Sequence, residues 1–170
     1  MKNNLLQLKN YALFFLKWLL LGILMGGIGG LLGAAFHYAL HFVTGLRLAN
    51  TWLVWLLPIG GLAGVGLYRL LGLQSNRGTN EMIDAVLDDH PVTPKIAPGI
   101  FLASALTHLF GGSAGREGAA LQLGGSVASG LGRLLKLDKQ SHSALIICGM
   151  SAVFAGLFGT PLTACLFTLE

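Results

Sequence analysis

The octet Gly111-Gly112-Ser113-Ala114-Gly115-Arg116-Glu117-Gly118 holds the residues best equipped for chemistry. It sets a base beside an acid in a glycine-rich turn, between the apolar stretches Ile96 to Phe110 and Ala119 to about Leu135. A comfortable membrane crossing takes about 20 residues, so two shorter apolar pieces around such a turn describe a broken membrane helix. Irregular backbone survives at membrane depth only where protein or a water-filled cavity surrounds it. The half-helix that follows would turn free N–H groups and its positive dipole end toward that cavity, which suits an anion. An ionisable residue there is functional by default. Glu117 would compete with a bound anion for the same donors, and protonating it would relieve the competition. Geometry then links anion passage to proton binding.

Other chemistries fit the octet poorly. A phosphate-binding Walker loop needs Lys and then Ser or Thr after its last glycine, and Ala119 follows Gly118. The dinucleotide pattern needs glycine where Ser113 stands. No cofactor is called for. A surface loop with Arg116 and Glu117 merely solvated is the plain alternative. His37 and His41 have the i, i+4 spacing of a metal pair, but no third ligand accompanies them, so no metal site is expected. His108 is a proton relay or a hydrogen-bonded packing residue, and Gln122 is expected to bond across a helix contact. Ser113, His108 and Glu117 are too thin a set for an enzyme.

Composition says what surrounds these residues. Only 11% of the 170 residues are charged and 54% are hydrophobic, against about 25% charged in soluble domains. Lipid must cover what polar side chains do not. The net charge of +4 comes from scattered basic residues without interleaved aromatics, so no nucleic acid is implied. Basic flanks of membrane helices explain it. Cys148 and Cys165 sit in apolar segments as small core residues and imply no disulfide framework.

The elements that must position the octet follow from the apolar runs. The first, Tyr11 to about Leu48, is either one long tilted helix or a span with an amphipathic extension. Gly22, Gly26 and Gly30 recur on it every four residues and predict a face for close helix packing. A second span runs from Trp52 to about Leu73, with Gly60 and Gly64 repeating the device and Pro58 one turn inside. Gln74 to Pro98 is the most polar stretch. It predicts a short partial helix beginning near Asn80, on the cytoplasmic side shared by Lys2, Lys9, Arg69 and Arg77. Arg133, Lys136 and Lys139 mark a cytoplasmic return. Ala144 to Glu170, cut by Gly156, Gly159 and Pro161, predicts two consecutive short helices. The stop at Glu170 in mid-pattern is how a fragment ends. Residues 1–170 are therefore expected to be one incomplete domain, and a non-conducting structural module needing a second half is the reading of another class.

Gly115-Arg116-Glu117-Gly118-Ala119 resembles the GREGP motif of the CLC chloride channels and proton-coupled antiporters. Gln122-Leu123-Gly124-Gly125 resembles the family's Gln-x-Gly-Gly. Pro161-Leu162, Leu166-Phe167 and Glu170 resemble its PL…LF…E stretch. The similarity runs from about Asn76 onward. It implies an all-helical integral membrane fold of tilted and re-entrant helices, the first half of an inverted-repeat pore, in a multi-pass cell-membrane protein that forms homodimers when complete. It implies transport of halide, chloride by default, as a voltage-gated-type channel or a proton/anion antiporter.

By the same resemblance Glu117 is the gating glutamate that also carries protons. The backbone amides around Arg116, Glu117, Gly118 and Ala119 are anion donors, while the Arg116 side chain holds the loop. Ala119 replaces the family's proline, a helix-start device. The family's GSGIP serine is missing, because Asn76-Arg77-Gly78-Thr79-Asn80 precedes Glu81 here. Gly78-Thr79-Asn80 resembles instead the Gly-x-Asn pattern of the fluoride-exporting branch, which makes fluoride export the alternative. The Thr79 hydroxyl either donates to the anion or caps the helix near Asn80. Glu170 aligns with the first of two neighbouring acidic positions in the antiporters, and a helix-terminal carboxylate is its simpler role.

Overall fold

A 48-residue helix, α1 (Lys2–Ala49), opens the chain without interruption. At 1.5 Å per residue it is about 70 Å long, more than twice the roughly 30 Å hydrocarbon core of a bilayer. The single long helix is thus the outcome for the first apolar run. The computed structural model describes residues 2–88 and 90–169, so Asp89 and the role expected of Glu170 lie outside the described residues.

The second span departs from a regular helix at its start. Thr51–Leu56 is a 3-10 turn, and α2 (Leu57–Leu71) follows with Pro58 in its first turn. Proline is tolerated there because that N–H has no intrahelical acceptor. Pro58 is therefore a helix-start residue, not one lodged a turn inside. The polar stretch contains α3 (Thr79–Leu87), and α4 (Ile96–Leu109) precedes the octet. The octet ends in α5 (Glu117–Leu134), two residues earlier than the apolar pattern begins. The last segment holds α6 (Lys139–Phe158) and α7 (Pro161–Leu169). With 20 residues α6 is a full span, so only α7 is short. The apolar pattern had hidden its first turn, because Lys139, Gln140 and Ser141 are polar.

Three described helical stretches, 7–49, 51–71 and 139–158, are long and apolar enough to cross a membrane. The described elements are all helical. Phe36, Leu40, Met82, Ile96, Ile146 and Val153 form the centre of the main buried cluster, joining α1, α3, α4 and α6.

Glycines set the tightest contacts, though not the ones expected. A Cβ on Gly22, Gly26 or Gly30 would point into open space. The face that packs is centred on Gly29 and Gly33, with the Gly30 backbone at its edge, where a Cβ on Gly156 would stand 2.9 Å from Gly30 Cα. A Cβ on Gly33 would stand 2.8 Å from the Gly156 carbonyl carbon, and one on Gly29 would collide with the Ala152 Cβ. A four-residue repeat fixes a stripe but not its partner, since several stripes on α1 carry glycine. Towards α5 the contact is backbone on backbone, because a Cβ on Gly124 would overlap the Gly149 carbonyl oxygen. At the other end of α6, Lys17 Nζ donates to Ser141 Oγ at 3.3 Å. Lys17 beside Ser141 and Gly33 beside Gly156 make α1 and α6 run in the same direction, with α5 antiparallel to both.

The loop between α3 and α4 is pinned to α5. Ser126 Oγ donates to the Thr93 carbonyl at 3.1 Å, and Arg133 Nη2 donates to the Val92 carbonyl. The basic flank of α5 thus serves the fold as well as the membrane surface.

Candidate functional site

The interruption expected in the octet is present. Residues 110–116 leave helical geometry between α4 and α5. Gly111 takes φ +82°, a left-handed conformation that costs other residues about 1–2 kcal/mol. Gly112 N–H donates to the Thr107 carbonyl at 2.8 Å and Gly111 N–H to that of His108 at 3.3 Å, so the turn is hydrogen-bonded to the end of α4. Phe110 fills the notch that Gly60 leaves on α2.

Glu117 is the first residue of α5 and is exposed. A carboxylate in a first turn is favoured by the dipole. Its Oε2 lies 3.1 Å from where a Cβ on Gly115 would be, so the side chain turns back over the loop. Among the described residues it makes no hydrogen bond or ion pair. The same holds for Arg116, so the loop-holding role implied for that side chain is not seen; backbone bonds and Phe110 do the holding. The first backbone bond of α5 is Ala120 N–H to the Arg116 carbonyl, 2.9 Å. The N–H groups of Glu117, Gly118 and Ala119 therefore precede the helical ladder, as helix starts require.

The second motif arrives at the same place. Gly78 precedes α3 with φ +69°, and Thr79 is the first helical residue. Thr79 makes no capping bond, which removes the capping reading: a residue inside the helix cannot reach the N–H groups that an N-cap satisfies. Its Oγ1 instead lies 3.1 Å from the position a Cβ on Gly118 would occupy. The hydroxyl of one helix start faces the backbone of the other because Gly118 has no side chain. Asn80 is exposed on the next position.

Two residues that sequence reasoning passed over build this turn. Asn76 Oδ1 accepts from Gly78 N–H at 2.6 Å, and Glu81 Oε2 accepts from Arg77 N–H at 3.4 Å. The signal was available, because Asn two residues before a glycine is an Asx turn. Arg77 also pairs with Asp84. Beyond Thr79 a groove of about 370 Å³ runs between α3, α5, α6 and α7, lined by Met82, Leu121, Met150 and Phe167 among others.

The remaining candidates fall away from the site. His108 Nδ1 donates to the Ser104 carbonyl at 2.8 Å, as a packing residue would. Gln122 Nε2 donates to the Gly118 carbonyl at 3.2 Å within its own helix, not across a contact. It still matters, since it braces the first turn of α5. His37 and His41 stack with ring centroids 6.4 Å apart, and no group of three metal-ligating side chains occurs among the described residues.

Three membrane-length helical stretches and two facing helix starts describe a multi-pass membrane protein. The model of the voltage gated chloride channel family matches residues 60–170, and the chain belongs to that family. It is 38% identical over 159 residues to a chloride/fluoride channel protein of Pseudomonas syringae pv. tomato, a match covering 92% of this chain and 35% of that protein. It is 32% identical over 171 residues to the H(+)/Cl(-) exchange transporter ClcA of Cronobacter sakazakii, covering 89% and 36%. The solved structure of a CLC-type fluoride/proton antiporter superposes with a TM-score of 0.82 at 38% identity, covering 89% of this chain and 38% of that one. The chain thus spans about a third of the length of these relatives.

Proposed function

We propose that residues 1–170 are the first part of the transmembrane domain of a halide transporter, and that the complete protein moves fluoride in preference to chloride. The observation that carries this is the approach of Thr79 Oγ1 to Gly118. It brings a hydroxyl donor and the free N–H groups of α5 to one point, where a small anion takes several donors at once. Fluoride is preferred over the chloride default because the serine motif is absent. The 38% identity to a chloride/fluoride channel protein, against 32% to a proton/chloride exchanger, favours the same choice.

In this reading Glu117 is the gate and proton carrier. Deprotonated, it competes for the donors of Glu117, Gly118 and Ala119; protonated, it releases them. The groove beyond Thr79 receives the second half of the pore, and two complete proteins associate as a dimer. The relatives are channels and exchangers by name, and no enzymatic step is part of the proposal. The α1 end with Lys9 and Lys17, together with Arg133, Lys136 and Lys139, faces the cytoplasm by the bias of basic residues.

The test is halide efflux from liposomes holding the complete protein, loaded with fluoride or chloride, beside Glu117→Gln. Faster fluoride efflux, with proton movement lost in the variant, is expected. Equal or faster chloride efflux would return the assignment to chloride. Absence of halide flux from the wild type would overturn the transport reading.

A further inference from the structure

Phe36, Leu40, Thr44 and Arg47 follow at spacings of four, four and three along α1 and share one face. Phe36 and Leu40 are fully buried. Thr44 and Arg47 continue the stripe half-buried, toward the end of α1 that meets the octet. Thr44 Oγ1 and Arg47 Nε are both shut off from solvent, and neither has a hydrogen-bond partner among the described residues. Buried polar atoms are almost always bonded, so both call for a partner.

Arg47 also has a definite position. Its Cδ and Nη1 lie 3.4 and 3.5 Å from where a Cβ on Gly111 would be, and Val54 Cγ2 lies 3.1 Å from that point on the other side. The guanidinium thus borders the interruption that leads to Glu117, in the same loop as Arg116. No carboxylate on the neighbouring elements neutralises it. The first 80 residues hold no Asp or Glu at all, and between residues 90 and 137 the only one is Glu117, which turns toward Gly115. Among the Arg47 nitrogens only Nε is shut off from solvent, so the Nη groups stay open to an anion arriving from outside. A guanidinium offers donors and no acceptor, and a threonine hydroxyl can add one more.

We propose that Arg47 and Thr44 form an outer binding site for a small inorganic anion, a halide, that supplies the site between Thr79 and Gly118. The site rests on the halide-transport reading for its role. Occupied from the non-cytoplasmic side, it holds the anion beside the turn at Gly111 before the anion meets Glu117. It raises capture at low halide and leaves the later step at Glu117 unchanged.

The test uses the complete protein in liposomes, with efflux replaced by uptake measured against halide concentration on the Arg47 side. Arg47→Gln is expected to raise the half-saturating concentration about tenfold, the loss of one charge-assisted contact, with the maximal rate unchanged. Arg47→Lys should restore most of the shift, and Thr44→Val should show a smaller one. An unchanged half-saturation in Arg47→Gln, or a fall in maximal rate alone, would overturn the outer site while the transport reading stands. Calorimetric titration with fluoride or chloride decides the matter even if the wild type moves no halide. Loss of one set of binding sites in Arg47→Gln supports the proposal, and identical isotherms overturn it.

Discussion

Along the seam where α6 meets α1 and α5, glycine removes side chains so that backbones touch. At Gly115 and Gly118, on either side of Glu117, glycine removes side chains so that backbone groups stay uncovered. Gly29, Gly33, Gly124 and Gly149 all face atoms that a Cβ would strike. Gly118 faces a hydroxyl at 3.1 Å, and Gly115 faces only the Glu117 carboxylate. The first set closes a dry contact that lipid alone would not drive together. The second keeps polar backbone open. One residue type therefore builds both the rigid wall and the open mouth, and neighbouring atoms decide which.

The contrast can be broken most severely at the seam. Gly149→Leu drives a side chain into Ala128 and the Gly124 carbonyl, and should cost about 3 kcal/mol, the upper end for overpacking. Thermal melts of the purified complete protein check it. Gly26→Leu, which meets nothing within 4 Å, should melt with the wild type; equal losses in both would dissolve the distinction between the two α1 faces.

A smaller effect is expected where the open region is held in shape. Gly111→Ala forces a side chain into φ +82° and should cost about 1–2 kcal/mol. Halide flux in the same variant should fall with the melting temperature, because the turn carries Glu117. A stable variant with normal flux would show that the turn is not what positions Glu117.

Smaller again, Thr79→Val should raise half-saturating halide about fivefold, near 1 kcal/mol for one hydrogen bond. Stability should hold, since the hydroxyl makes no capping bond. Thr79→Ser should behave as wild type. If Thr79→Val instead melted early with unchanged affinity, the hydroxyl would belong with the packed glycines and not with the site.

The smallest effect concerns the end of the seam where α6 begins. Asp138 caps α6, accepting from Ser141 N–H at 3.1 Å. Hydrogen bonding from the Ser141 hydroxyl, then its N–H, with a smaller pull from Lys17, holds the Asp138 carboxyl below the usual carboxylate range. A lowered folded value means the stabilisation is complete above the unfolded value of about 3.9 and fades as pH falls through the folded one. Asp138→Ala should therefore be less stable at neutral pH, and its deficit should shrink in acid. Melting temperatures at pH 7 and in the acid range measure this, and a deficit independent of pH would rule out the carboxylate as its source.

Much of the site was legible because its signals are local. The octet combines four glycines with Ser113, Arg116 and Glu117 and lacks the apolar run that carries the glycines of α1 and α5 through their helices, so its interruption and the placement of Arg116 and Glu117 could be read directly. The start near Asn80 was visible for the same reason. The packed face of α1 was not legible. Gly22, Gly26, Gly29, Gly30 and Gly33 offer overlapping stripes, and only the position of α6 selects Gly29 and Gly33, with Gly30 at the edge. Gln122 was misjudged in kind, since a side chain's partner depends on what stands across from it. His108, with its i−4 carbonyl within reach, went to packing because no acceptor in a pathway lies closer.

What the sequence determined by itself is the solvent and the breaks. Too few charges and long apolar runs require lipid, while Gly111 to Gly118 and Gly159-Thr160-Pro161 end helices by their own backbone chemistry. What only the tertiary structure decided is which ends meet. Thr79 and Gly118 are far apart along the chain, and nothing in either motif specifies the other. They meet because Met82 packs against Gly125 and Gly149 against Gly124, fixing the helices at depths that bring two helix starts to one point. Side-chain spacing along one helix is set by its own period, but register between helices is set by volume, and volume is filled only when the helices are together.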